Sequence, residues 1–121
     1  MYLKEEGAVM RRLSIALSQE IAGLLKEYMT HPVVDVDTAD FTLVSAIVVG
    51  DAHVKDMVCH EAVRHFGIPL FVISKDPDAI YKSGYFIVGM TMQPLARLDP
   101  LYFVETLETA ARRYEYDVLP P

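Results

Sequence analysis

Two apolar runs, Ala46 to Val49 and Ile68 to Ile73, flank a segment in which Val54, Met57, Val58, Ala62 and Phe66 recur at helical spacing. Thr42 to Val49 is rich in β-branched and apolar residues without alternation, the pattern of a strand covered on both faces of a parallel sheet. Gly50-Asp51 breaks that strand. The periodic stripe then predicts a helix over 53–66, which Gly67 closes in a left-handed conformation. Ile68 to Ser74 predicts a second buried strand, with Pro69 near its start, where a missing amide donor is tolerated. Phe41 to Ser74 thus predicts a βαβ unit, and the rest of the chain is arranged around it.

Upstream, Met10, Leu13, Leu17, Ile21, Leu24 and Tyr28 recur at three- and four-residue steps and predict one helix over 8–29, after a polar lead-in at 1–7. A competing reading makes Arg12 to Leu17 a strand and starts the helix at Ser18, whose hydroxyl suits a cap, giving a fuller flavodoxin-like fold. His31-Pro32 ends the helix, because proline disfavours helical geometry in the residue before it. Val33 to Asp37 alternates apolar and acidic residues, as a half-exposed edge strand does.

Downstream, Asp76-Pro77 supplies a cap and a first turn for a short helix reaching Ser83-Gly84. Tyr85 to Met92 predicts a third strand, and Gln93-Pro94 opposes its continuation as a central one. Asp99 caps a last helix with Pro100 in its first turn, running to about Tyr114. Its stripe is Leu101, Val104, Leu107 and Ala111, with Phe103 beside it. The apolar, aromatic tail from Tyr114 to Pro121 is expected to pack on the body or on a neighbour. The sum is a small Rossmann-like or flavodoxin-like α/β domain over 1–121, with a short, mostly parallel sheet of three to four strands flanked by helices near 8–29, 53–66 and 99–114.

Composition changes this picture in three ways. An apolar content of 52% and a mean hydropathy of +0.22 are high for 121 residues that must cover their own surface, which predicts a homo-oligomer, a dimer or higher. A net charge of −6 opposes nucleic-acid binding, and no apolar run approaches the roughly 18 residues of a membrane span. Arg11-Arg12 before an apolar stretch imitates a signal peptide, but Gln19 and Glu20 interrupt it, and with the single Cys59 the expected location is the cytoplasm.

In an open α/β sheet, ligands bind beyond the carboxyl ends of the strands. Here that edge offers Gly50, Asp51, His53, Ser74 and Lys75 as candidate binding residues. Gly50 allows close approach, a helix starting near His53 favours an anion, Lys75 adds positive charge, and Asp51 either opposes an anion or caps the helix. Neither nucleotide-binding glycine motif is present. His53, Asp56 and His60 share one face of the expected helix, and Asp35, Asp37 and Asp40 cluster on the edge strand. Both sets read as solvated faces and no metal is assigned. Cys59, in mid-helix, reads as a packing residue rather than a nucleophile, and Met90 with Met92 as adaptable packing. The functional expectation is a small-molecule or anion-binding module acting as a homo-oligomer. A non-catalytic assembly subunit and a small enzyme using His53 or His60 as acid/base are the alternatives.

Overall fold

The structure is a computed structural model that describes residues 13–85 and 87–118. The lead-in at 1–7, the first residues of the expected N-terminal helix and the two terminal prolines lie outside the described residues. Among the described residues, nine strands and α-helices follow in order: β1 (Ser14–Leu17), α1 (Gln19–Leu25), β2 (Val33–Asp35), β3 (Val44–Val49), α2 (Met57–Phe66), β4 (Leu70–Ser74), α3 (Pro77–Ser83), β5 (Met90–Pro94) and α4 (Pro100–Val118). The strands form one five-stranded sheet in the order β2-β1-β3-β4-β5, and every pairing is parallel. The α/β class and the parallel sheet are as the pattern predicts; the strand number is five rather than three to four.

The extra strand comes from the segment expected to be one helix. Ser14–Leu17 is a strand buried at all four positions, and α1 begins only after Ser18, so the competing reading of a strand followed by a helix is the correct one, although the Ser18 hydroxyl makes no cap bond. Pairing decides it: Ile15 and Leu17 lie opposite Ala46 and Val48 of β3, in the centre of the sheet. The two serines inside this pairing are satisfied locally, Ser14 Oγ donating to Leu43 O and Ser45 Oγ to Ser14 O, each at 3.1 Å.

Strict alternation along the central strands supplies two cores. Ile15, Leu17, Ala46, Val48, Phe71 and Ile73 face α1 and α4, where Ile21, Leu25, Phe103, Val104, Leu107 and Ala111 close the layer. Ala16, Ile47, Val49, Leu70 and Val72 face α2 and α3, meeting Cys59, Ala62 and Ile80. Between β2 and β3 there is no α-helix. A single turn of 3-10 helix at Phe41–Leu43 makes the connection, and Val36, Ala39 and Phe41 cover the sheet there.

Two helical stripes differ from expectation. α2 starts four residues later than 53, after Asp56, whose side chain accepts from Val58 N, and it turns Cys59, His60 and Ala62 inward. Met57, Val58 and Phe66 are exposed instead. Gly67 does close α2 in the left-handed region, at φ 68°, its amide donating to Val63 O. In α4 the buried residues are Phe103, Val104, Leu107, Glu108 and Ala111, while Leu101 is 68% exposed. This helix continues through Tyr114 to Val118, so most of the expected tail is helical, and Tyr114 Oη donates to Phe66 O at 3.0 Å.

The third predicted strand is displaced to Met90–Pro94, after Gly84 at φ 82° has ended α3 and Gly89 at φ 97° has turned the chain. Both edge strands are blunt: β2 has three residues and ends in Asp35, and β5 ends in Pro94, which has no amide to donate.

Candidate functional site

With strands β1 and β3 side by side, the chain leaves toward β2 on one side and toward β4 on the other. The crevice beyond their carboxyl ends is therefore the switch point of the sheet, where open α/β folds bind ligands. It is built from Ser18 and Glu20 after β1, Asp37 after β2, and Gly50 to Asp56 after β3.

His53 is the centre of this edge. Its Nε2 lies 3.1 Å from Asp37 Oδ1, and its Nδ1 lies 3.6 Å from Glu20 Oε1. In the imidazolium form both contacts are ion pairs. Nδ1 is buried and has no hydrogen-bond partner among the described residues, and the same holds for the hydroxyl of fully buried Ser18. Gly50 makes the arrangement sterically feasible: a Cβ there would stand 2.5 Å from the Glu20 carboxyl carbon. Asp56 completes the group, for donor atoms of Asp37, His53 and Asp56 all lie within 4.8 Å of one another.

The other predicted binding residues are brought together for a different purpose. Asp51 Oδ1 accepts from Ser74 Oγ at 2.6 Å, and Oδ2 accepts from Lys75 N at 2.9 Å. Ser74 Oγ in turn accepts from Asp76 N at 3.0 Å. These bonds clamp the loop after β3 to the loop after β4, so both Asp51 oxygens and the Ser74 hydroxyl are spent within the protein. Lys75 is exposed.

The expected solvated face of His53, Asp56 and His60 does not exist as a face, because the helix begins after Asp56. His60 is buried and its Nε2 lies 2.8 Å from Val54 O, a satisfied core histidine. The acidic trio also separates. Asp35 Oδ1 accepts from Asp37 N at 2.9 Å and Asp40 Oδ1 from Thr42 N at 3.0 Å, which leaves Asp37 alone turned to His53. Cys59 is buried, and its thiol is pushed up to about 12 by burial first, then by the charges of Asp56 and Asp37. Met90 is buried and Met92 packs partly against the same core.

Glu20 carries no direct signal in the sequence pattern, because a continuous helix over 8–29 has no strand end to place it at the switch point. The single indirect signal is Ser18 as an alternative cap. A groove of about 380 Å³ lies at the opposite end of the strands, lined by Gly67, Pro69, Arg113 and Tyr114 among others. The concavity there and the ionisable cluster are thus separate features.

No family model matches the chain. Two curated proteins are similar along nearly all of it. An ornithine decarboxylase of Haemophilus influenzae is 30% identical over 118 residues, covering 93% of this chain and 15% of that protein. An inducible ornithine decarboxylase of Lactobacillus sp. strain 30a is 32% identical over 111 residues, covering 90% of this chain and 14% of that protein. The chain therefore spans about one seventh of the length of the curated relatives it matches. No helix among the described residues is long and apolar enough to cross a membrane.

Proposed function

We propose that the chain is a ligand-binding module, a single cytoplasmic domain acting as a homo-oligomer, whose switch-point edge takes a small cationic ligand. The observation that carries this reading is the placement of Glu20 and Asp37 on either side of His53, with Asp56 in reach. An anion, which the leading expectation from the sequence includes, would meet four carboxylates on this edge once Asp51 is counted. Burial does most to push the Cys59 thiol up, and the charges of Asp56 and Asp37 add to it. Ornithine, named in both relatives, belongs in the ligand panel because its ammonium groups suit such a site.

The test is an amide-resolved NMR titration with ornithine, putrescine, divalent metal chlorides and inorganic phosphate. A cation should shift the amides of Glu20, Asp37 and Gly50 to Asp56, and D37N should weaken the response. Shifts at these amides with phosphate alone, or with nothing in the panel, overturn the proposal. Leu101 and Tyr102, each 68% exposed on the first turn of α4, support self-association, and a monomer by native mass spectrometry at micromolar concentration overturns that part.

One observation favours a second reading, an enzyme with His53 as acid/base: Asp37 stands in hydrogen-bond reach of the imidazole, the partner such a group requires. His60 has no part in it, since its ring is buried and bonded to Val54 O.

A further inference from the structure

Asp37, His53 and Asp56 come from two segments: Asp37 from the β2–β3 connection, His53 and Asp56 from the connection between β3 and α2. Their donor atoms converge to within 4.8 Å. Ligands on one tetrahedral zinc-like ion, with bonds of about 2.0–2.2 Å, stand about 3.3–3.6 Å apart, so side-chain rotation would have to draw the set in around an ion. Two further features concern the other nitrogen of the ring. The buried Nδ1 of His53 has no hydrogen-bond partner among the described residues. The Glu20 carboxylate lies 3.6 Å from that nitrogen, in space left by the missing side chain of Gly50.

We infer that this edge is a divalent transition-metal site, with His53, Asp37 and Asp56 as ligands and Glu20 as an outer carboxylate facing the ring's Nδ1. The inference rests on the reading of this edge as a binding site and names its ligand class. One imidazole with carboxylates suits borderline ions such as Zn2+, Co2+ or Mn2+ better than Mg2+, which keeps most of its water and prefers oxygen alone. A divalent charge also offsets the carboxylates that crowd the imidazole. Asp56 Oδ1 is already fixed by the amide of Val58 at 3.0 Å, which holds this carboxylate in place for its other oxygen to bind.

The experiment is a calorimetric and visible-absorption titration of the full chain with CoCl2 and ZnCl2, followed by ornithine and putrescine. Wild-type protein should bind one ion per chain, with Co2+ giving ligand-field bands. His53→Gln should weaken binding by at least about tenfold, since even second-sphere changes at metal sites cost that much. Asp37→Asn, at an exposed position that burdens folding little, should do the same with an unchanged circular dichroism spectrum. His65→Gln is the control for casual surface binding, because His65 and Glu61 form an exposed pair 2.7 Å apart, and it should leave the affinity within twofold. Equal binding by His53→Gln, or loss of binding in His65→Gln, overturns the site. If metals fail but a diamine binds and D37N weakens it, the metal inference falls and the cationic-module reading stands. If neither binds, both fall.

Discussion

The carboxylate of Glu108 on α4 accepts two hydrogen bonds from Thr30, one from its amide and one from its hydroxyl, each at 2.7 Å and across 78 residues of sequence. The His31 amide adds a third at 2.8 Å. Burial by itself would raise the Glu108 carboxyl, but the bonds from Thr30 and His31 outweigh it and hold the group below the ordinary carboxylate value. Glu108→Ala should therefore destabilise the protein by about 2–3 kcal/mol, because it removes the charged acceptor of three hydrogen bonds. Urea unfolding at neutral pH measures this, and a change within 0.5 kcal/mol, roughly the noise of a surface substitution, sinks the account.

The same carboxylate has a pH signature. With its folded pKa depressed, the unfolded chain binds the proton more readily, so the stabilisation is complete above the ordinary value of 4.5 and is lost as pH falls through the lower folded value. Unfolding midpoints measured from pH 7 down to 3 should fall more steeply for wild type than for Glu108→Gln. Parallel curves would show that the bonds contribute nothing.

Burial also governs Cys59. With its thiol pushed up to about 12, native protein at pH 8 should not react with a disulfide reagent, whereas protein in denaturant should react fully. The sign is opposite to that of Glu108: the folded state holds the thiol proton more tightly, so this contribution is intact below the ordinary value of 9.0 and declines as pH rises above it. Rapid labelling of the native protein contradicts the packing.

Phe103 meets Phe71 edge to face, with ring centroids 5.7 Å apart, beneath α4. Phe103→Ala should cost about 3–5 kcal/mol by opening a cavity. Leu101→Ala, at an exposed position, should stay within about 0.5 kcal/mol. Thermal unfolding of the two variants side by side decides which residue anchors the helix.

The switch-point loops separate structure from binding. Asp51→Ala should cost about 1–2 kcal/mol through the lost clamp to Ser74 and Lys75. Gly50→Ala should cost less than about 1 kcal/mol, since the Cβ meets only the flexible end of Glu20, yet it should weaken cation binding by displacing that carboxylate. If Gly50→Ala binds as wild type does, Glu20 has no part in the site.

The βαβ unit, the capped α3 and the start of α4 were legible because each carries a local signal: unalternating β-branched runs, Asp76-Pro77, and Asp99-Pro100. β1 was not, since a four-residue strand buried on both faces has no period of its own, and Leu13, Leu17 and Ile21 fit a helical step equally well. The inward face of α2 is hidden in the sequence for a related reason. Starting the helix at 57 rather than 53 hands the core to Cys59 and His60, and only the Asp56 cap marks that start. At the site, Gly50 and His53 announced themselves as a strand end. Their partners did not, because Glu20 and Asp37 follow other strands and no spacing along the chain joins them to His53.

The blunt margins of the sheet bear on how copies of this chain can meet. A short outer strand ending in an acidic residue, and another ending in a proline, offer a neighbour little backbone to pair with. A continuous sheet running from copy to copy is thereby disfavoured. Any assembly must instead be written in side chains on the helical layers, where single substitutions can tune or abolish it without touching the strands.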